Sequence, residues 1–211
     1  VHHCGVSKTV WRGQTMDDRS AERRQQLLDV CLELVGSGGA AVVTLRGVCR
    51  TAKLSPRYFY ENFSSREDLL IATYDHVEAE LFERLVRAGQ GHRTLSIRTV
   101  LETCAEYFEE DPRRARILLR EPMSDETLRA HQSGKAPVFI ASVIPALESA
   151  DRREAPRDAQ ELGVLAASLS GALIFLYLEW LDGRLDIERD ALADSATRLV
   201  TAIARASRRE P

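Results

Sequence analysis

Little in this chain can build a metal site or a covalent staple. Its four cysteines, Cys4, Cys31, Cys49 and Cys104, form no CxxC pair, and such paired spacing is what zinc and redox motifs need. The first residues lack the charged-then-apolar pattern of a secretory signal, so a reduced, cytoplasmic setting is expected. No phosphate-binding glycine loop or nucleophile elbow is present, and His76, His92 and His131 are scattered. The acidic run Glu109-Glu110-Asp111 has no histidine at the spacing of a helical metal site. His2, His3 and Cys4 are adjacent and have no distant partner to complete a tetrahedron. No enzymatic activity, metal or cofactor is therefore expected. The longest uncharged run, Leu162 to Leu178, is shorter than the ~20 residues of a membrane span, contains Gly163, Ser168, Ser170 and Gly171, and has no basic anchors. A buried soluble helix is the expectation, and no membrane partner.

What is present is ordinary globular material, 44% hydrophobic and 29% charged over 211 residues. Its charge is uneven. Residues 1–66 carry ten Lys+Arg against six Asp+Glu, and residues 67–211 carry nineteen against twenty-six, within a net charge of -3. A basic head that seeks phosphate and an acidic body that does not would give this asymmetry.

Hydrophobic spacing is helical almost throughout, which predicts an all-α fold. Residues 1–18 lack periodicity and read as a disordered tail. Leu27, Cys31, Leu34 and Val35 form one stripe of a first helix, from about Ser20 to the glycines Gly36, Gly38 and Gly39. Its first turn carries Arg19, Arg23 and Arg24, the opposite of the dipole preference, as if something negative lay nearby. Thr44 caps a short second helix with Leu45, Val48, Cys49 and Ala52 inward. Ser55 and Pro56 then supply cap and first position for a third helix, predicted to run to about Phe63. Ser64 and Glu67 have capping-box spacing before a long helix with Leu70, Tyr74, Val77, Leu81 and Leu85 in register.

The third helix, in SPRYFYENF, is too short to be stable alone. Phe59 and Phe63 share one face and can pin it to its neighbours, leaving Arg57, Tyr58, Glu61 and Asn62 outward. A short helix held across another by a tight turn, polar face free, is the helix-turn-helix arrangement that reads the DNA major groove.

The run TLRGVCRTAKLSPRYFYENFSSREDLL resembles the DNA-binding signature of the tetracycline-repressor (TetR) family of bacterial regulators. The likeness covers about residues 20–75; beyond Tyr74 it is one of architecture. It implies a three-helix helix-turn-helix domain over 19–64 and a helical effector-binding and dimerisation domain over 65–211. Thr44, Arg46, Ser55, Pro56, Arg57, Tyr58, Tyr60, Asn62 and Arg66 become the candidate DNA-binding residues. Arg57 and Tyr58 are the expected base readers. The guanidinium fork of Arg57 matches guanine O6 and N7, a contact worth about 1–3 kcal/mol of discrimination. Tyr60 and Asn62 are expected to grip the DNA backbone, and Thr44, Arg46 and Arg66 to contact phosphate. Lys53 stands where the family usually has glycine and Arg66 where it usually has lysine.

In the remaining chain Leu95, Val100, Leu101, Cys104 and Phe108 suggest a helix ending at Asp111-Pro112. A shorter helix covers Arg113 to Leu119, Ser124 can cap the next, and Pro137 and Pro145 interrupt or kink the stretch beyond it. Tyr107, Phe108, Phe139, Phe175 and Tyr177 are candidate lining for an effector pocket. Gly163, Ala167 and Gly171 recur every fourth residue, and Leu192, Ala196, Leu199 and Ile203 form a second stripe, the candidate dimer interface. The expected protein is a homodimeric repressor that a small-molecule effector releases from a palindromic operator. Two recognition helices would lie ~34–36 Å apart on double-stranded DNA. The helix from Ser65 to Arg87 is expected to carry the effector's signal by a change of tilt. The alternatives are a helical enzyme or a docking protein with no DNA role.

Overall fold

A computed structural model describes residues 16–90, 96–133, 135 and 159–206. Every regular element among them is helical. The chain divides into two compact units, Val1–Thr73 and Tyr74–Pro211.

In the first unit α1 (Met16–Gly38) starts one turn before the expected Ser20. Leu27, Cys31 and Val35 of its stripe are fully buried. A single 3-10 turn, Ala40–Val42, leads to α2 (Leu45–Ala52) and α3 (Pro56–Tyr60). The Thr44 hydroxyl accepts from the Gly47 N–H at 3.1 Å, so α2 is capped as its sequence demands. A Cβ at Gly47 would stand 2.9 Å from that hydroxyl oxygen, which is why the cap is followed by glycine. Lys53 ends α2 in the left-handed region at φ 53°, and the Leu54 N–H reaches back to the Cys49 carbonyl at 3.0 Å. The turn therefore keeps the backbone shape that glycine would give, with lysine bearing a strain of about 1–2 kcal/mol.

Helix α3 is shorter than expected. Regular helix stops at Tyr60, and a turn in which the Asn62 and Phe63 N–H groups both reach the Phe59 carbonyl completes the segment. Ser55 occupies the cap position without a side-chain bond; its carbonyl accepts from the Tyr58 N–H at 3.0 Å, and Pro56 fills the first helical position. The long helix α4 (Arg66–Gly89) begins one residue later than the Ser64 cap implied. Ser65 is its cap, accepting from the Asp68 N–H at 3.0 Å, while the Asp68 carboxylate accepts from the Ser64 N–H at 2.8 Å. Asp68, not Glu67, thus closes the reciprocal pair.

In the second unit α5 (Ile97–Glu110) is capped by Ser96 and followed by α6 (Pro112–Ala115), capped by Asp111. The chain then passes through a π turn, Arg116–Arg120, and a 3-10 turn, Glu121–Met123, into α7 (Glu126–Gln132). Asp125 rather than Ser124 caps α7, its carboxylate accepting from the Leu128 N–H at 3.1 Å; Ser124 instead donates back to the Glu121 carbonyl. Two long helices, α8 (Ala159–Leu181) and α9 (Arg189–Ala206), complete the unit, with α9 packed chiefly against α5. The window Gly163–Leu181 of α8 is apolar enough for a membrane span, at mean hydropathy 1.8. Leu165, Ala166, Leu169, Tyr177 and Leu178 are buried, whereas Gly163, Val164, Ala167, Ser168, Gly171 and Phe175 are exposed. The expected buried helix is thus buried on one side, with the glycine side exposed.

Candidate nucleic-acid interface and ligand cavity

The face of α3 follows from which of its aromatics are held. Phe59 and Phe63 are buried with ring centroids 6.0 Å apart. Arg24 of α1 stacks over Phe63 at 4.5 Å and donates to the Asn62 carbonyl. Gln26 of α1 donates to the Ala52 carbonyl at the end of α2, tying α1 to that turn. With α3 fixed from below, Arg57, Tyr58 and Tyr60 project outward, the Arg57 side chain 85% exposed and Tyr60 62% exposed. Arg57 is held along the surface by Glu61, one turn on, at 3.0 Å. Thr44, Arg46, Ser55 and Pro56 are exposed as well.

Two of the nine expected residues are otherwise engaged. Asn62 is half-buried and donates its amide to the Tyr58 carbonyl at 2.8 Å, closing the end of α3. Arg66 is half-buried, its Nε donating to the Val43 carbonyl at 2.8 Å and its Nη2 to the Ala40 carbonyl at 2.6 Å. A guanidinium presents its N–H groups in a fixed planar fork where a lysine's three donors share one rotatable nitrogen, so arginine here clamps the 3-10 turn to the start of α4. Sequence reasoning noticed the arginines of α1 without finding their work. Arg23 lies over the Tyr58 ring at 4.7 Å, a cation–π contact that orients an exposed tyrosine.

Cys31 is buried between these helices and desolvation pushes its thiol up to about 11, so it is a packing residue rather than a nucleophile.

The second unit holds a cavity of about 140 Å³. Phe108 and Tyr177 line it, as expected, with Tyr74, Glu78, Leu81 and Phe82 of α4 forming one wall. Leu118 and Leu119 of the π turn and Leu173 and Ile174 of α8 form others. Tyr107 is fully buried but turned away, its hydroxyl donating to the Val77 carbonyl and its ring covered by Arg114 and Arg84. Phe175 points to the other face of α8 and is 56% exposed. Phe139 lies outside the described residues. At the polar end Lys135 donates to Asp75 and Glu78, and His131 pairs with Asp75 at 2.7 Å. Burial alone would raise the Asp75 carboxyl, but the bonds from Lys135 and His131 outweigh it and hold it below its ordinary value. Desolvation pushes the Cys104 thiol on the wall up to about 12, keeping it neutral.

The expected dimer stripe divides. Gly163, Ala167 and Gly171 are exposed, and a Cβ at Gly163 or Gly171 would meet nothing. Leu192 and Ala196 are buried on the helix that packs on α5, Ile203 is half-buried, and Leu199 is 40% exposed. Period alone could not say which side of α9 faces its own core. Among the described residues no three His, Cys, Asp or Glu side chains cluster as a metal site.

Residues 27–73 match the family described as bacterial regulatory proteins, tetR family. Its head is thus similar to that family across the helix-turn-helix. The helix-turn-helix transcriptional regulator BetI of Rhizobium meliloti (strain 1021) is 38% identical over 72 residues, which are 34% of this chain and 36% of BetI. The match thus spans about a third of that relative's length. Among solved structures, a TetR-like transcriptional regulator from Rhodococcus sp. RHA1 superposes with a TM-score of 0.68 at 23% identity, covering 89% of this chain and 98% of that one. The regulator FadR from Bacillus subtilis, solved in complex with stearoyl-CoA, gives 0.65 at 13% identity, covering 84% and 97%. At such identities the structures establish the fold alone, a helix-turn-helix head followed by a helical body. The family that the head matches is one of regulatory proteins.

Proposed function

We propose that the protein is a DNA-binding transcriptional regulator, a homodimeric repressor that a small molecule releases from a palindromic operator. One observation carries this reading: a short helix pinned by buried Phe59 and Phe63 presents Arg57, Tyr58 and Tyr60 outward. Core aromatics anchor that helix while the surface aromatics keep an exposed edge, so the outward face suits the major groove. In this reading Arg57 reads guanine and Tyr58 reads a neighbouring base while Arg23 steadies its ring. Thr44, Arg46 and Tyr60 meet phosphate, with Ser55 and Pro56 setting the approach of α3. Asn62 and Arg66 act by holding α3 and the 3-10 turn in place.

A second copy supplies the matching half-site. The exposed, nearly bare strip of Gly163, Ala167 and Gly171, flanked by Val164 and Phe175, supports close approach of a partner's α8, with Leu199 of α9 at its edge. The effector enters the body's cavity. Because α4 supplies Tyr74, Glu78 and Leu81 to that wall, occupancy acts on the helix whose first turn belongs to the head. A coupling of ~1–3 kcal/mol between the two events is enough for induction.

The test is a titration of the full chain against labelled DNA from its own upstream region at several salt concentrations. A regulator binds one fragment tightly, with log affinity falling linearly as log salt rises. Equal, weak binding to every fragment contradicts the reading.

A further inference from the structure

We infer that the effector is an uncharged, apolar molecule of one or two rings, held without an ionic anchor; this rests on the regulator reading. Size is the first argument. An apolar cavity of ~150 Å³ in another protein holds benzene, and this one measures about 140 Å³. Its walls are aliphatic and aromatic, with Leu101, Phe108, Leu173 and Ile174 facing the space.

The second argument is where the polar groups of the wall are directed. Ser170 donates to the Ala166 carbonyl at 2.7 Å, and Tyr177 to the Leu101 carbonyl at 2.7 Å. The Gln132 amide donates to the Leu118 carbonyl at 3.0 Å. Each of these donors is turned to protein backbone, so a ligand with many hydrogen-bonding groups would bury them unmet.

Charge supplies the third argument. The one cation on the described wall, Lys135, is flanked by two carboxylates, Asp75 and Glu78, and also caps the Tyr74 ring at 5.2 Å. An anionic ligand would have to compete with both acids for Lys135 and would stand beside their negative charge. An organic cation would have to displace Lys135 from Glu78 to gain the same carboxylate. An uncharged ring disturbs neither pair and gains the apolar contact that the walls offer.

The experiment is calorimetric titration of the full chain with indole, toluene, octanoate and tetraethylammonium, at low and high salt. Indole and toluene are expected to bind at least about tenfold more tightly than either ion, with an affinity that salt leaves unchanged. Leu173→Trp, filling the cavity from α8, should weaken indole by about tenfold or more. If that variant misfolds, Ser170→Leu fills the same space from the same helix and carries the same expectation. Tighter binding of octanoate or tetraethylammonium overturns the inference, as does failure of both rings to bind. DNA titrations on the same samples separate the two readings. Intact DNA binding with no ring bound defeats the ligand class alone; ring binding without any DNA binding leaves the ligand class standing and defeats the regulator.

Discussion

The head, ending at Thr73, and the body, beginning at Tyr74, use their described tyrosines in opposite ways. In the body Tyr107, Phe108 and Tyr177 are buried, and both tyrosine hydroxyls donate to backbone carbonyls. In the head buried Phe59 alternates with Tyr58 and Tyr60, which are 38% and 62% exposed. A buried tyrosine needs an internal acceptor, and where none is provided the ring is left for something outside. The comparison separates aromatics that hold a structure together from aromatics that such a structure holds out.

The largest expected effect breaks the anchoring half of that contrast. Phe59→Ala should cost ~3–5 kcal/mol in the head, read as early unfolding in denaturant and loss of DNA binding. Next is the contact half. Arg57→Ala should lower affinity for the cognate fragment by ~1–3 kcal/mol, measured by anisotropy. Its exposed pair with Glu61 contributes ~1 kcal/mol or less to stability, so the denaturation midpoint should barely move. Thr44→Ala removes the cap of α2 and should cost ~1 kcal/mol of stability. Lys53→Gly, in contrast, relieves the left-handed turn and should raise stability by about 1 kcal/mol, without altering which fragment is bound.

Acid distinguishes the regions by smaller amounts. Bonds from Arg84 hold the Glu110 carboxyl down at about 2, and bonds from Arg113, Arg184 and Arg120 lower Asp111, Glu179 and Asp182. With Asp75, all these lie in the body; in the head Glu67 is lowered, chiefly by a backbone hydrogen bond. Their folded values lie below the unfolded ones, so the stability they give is present above pH ~4. It is lost as pH falls through the folded values. An acid titration in a Trp11→Phe background, where Trp180 alone reports the body, should show the body loosening before the head's DNA affinity fails for other reasons.

The head was the more legible region because its signals are local. Thr44 before α2 and Pro56 at the start of α3 act through neighbouring backbone, so position in the chain decides them. The same locality misplaced the cap of α4 by one residue, since Ser64 and Ser65 offer the same oxygen and only Asp68 chooses between them. Arg66 could not be read at all: its partners, Ala40 and Val43, come from a turn that periodicity does not describe. In the body, spacing found the helices but not their outward sides. Phe175 and Tyr177 are two residues apart on α8, so they look to opposite sides, yet both are simply aromatic in sequence. The cavity's polar end joins Asp75 and Glu78 to His131 and Lys135, and no pattern within either helix announces that meeting.

The central claim, that the outward face of α3 reads DNA, is tested most directly by the double variant Arg57→Ala with Tyr58→Ala in the full chain. Its affinity for the cognate upstream fragment should fall to that for a scrambled fragment while its unfolding curve stays in place. Unchanged preference for the cognate fragment in that folded double variant would contradict the account.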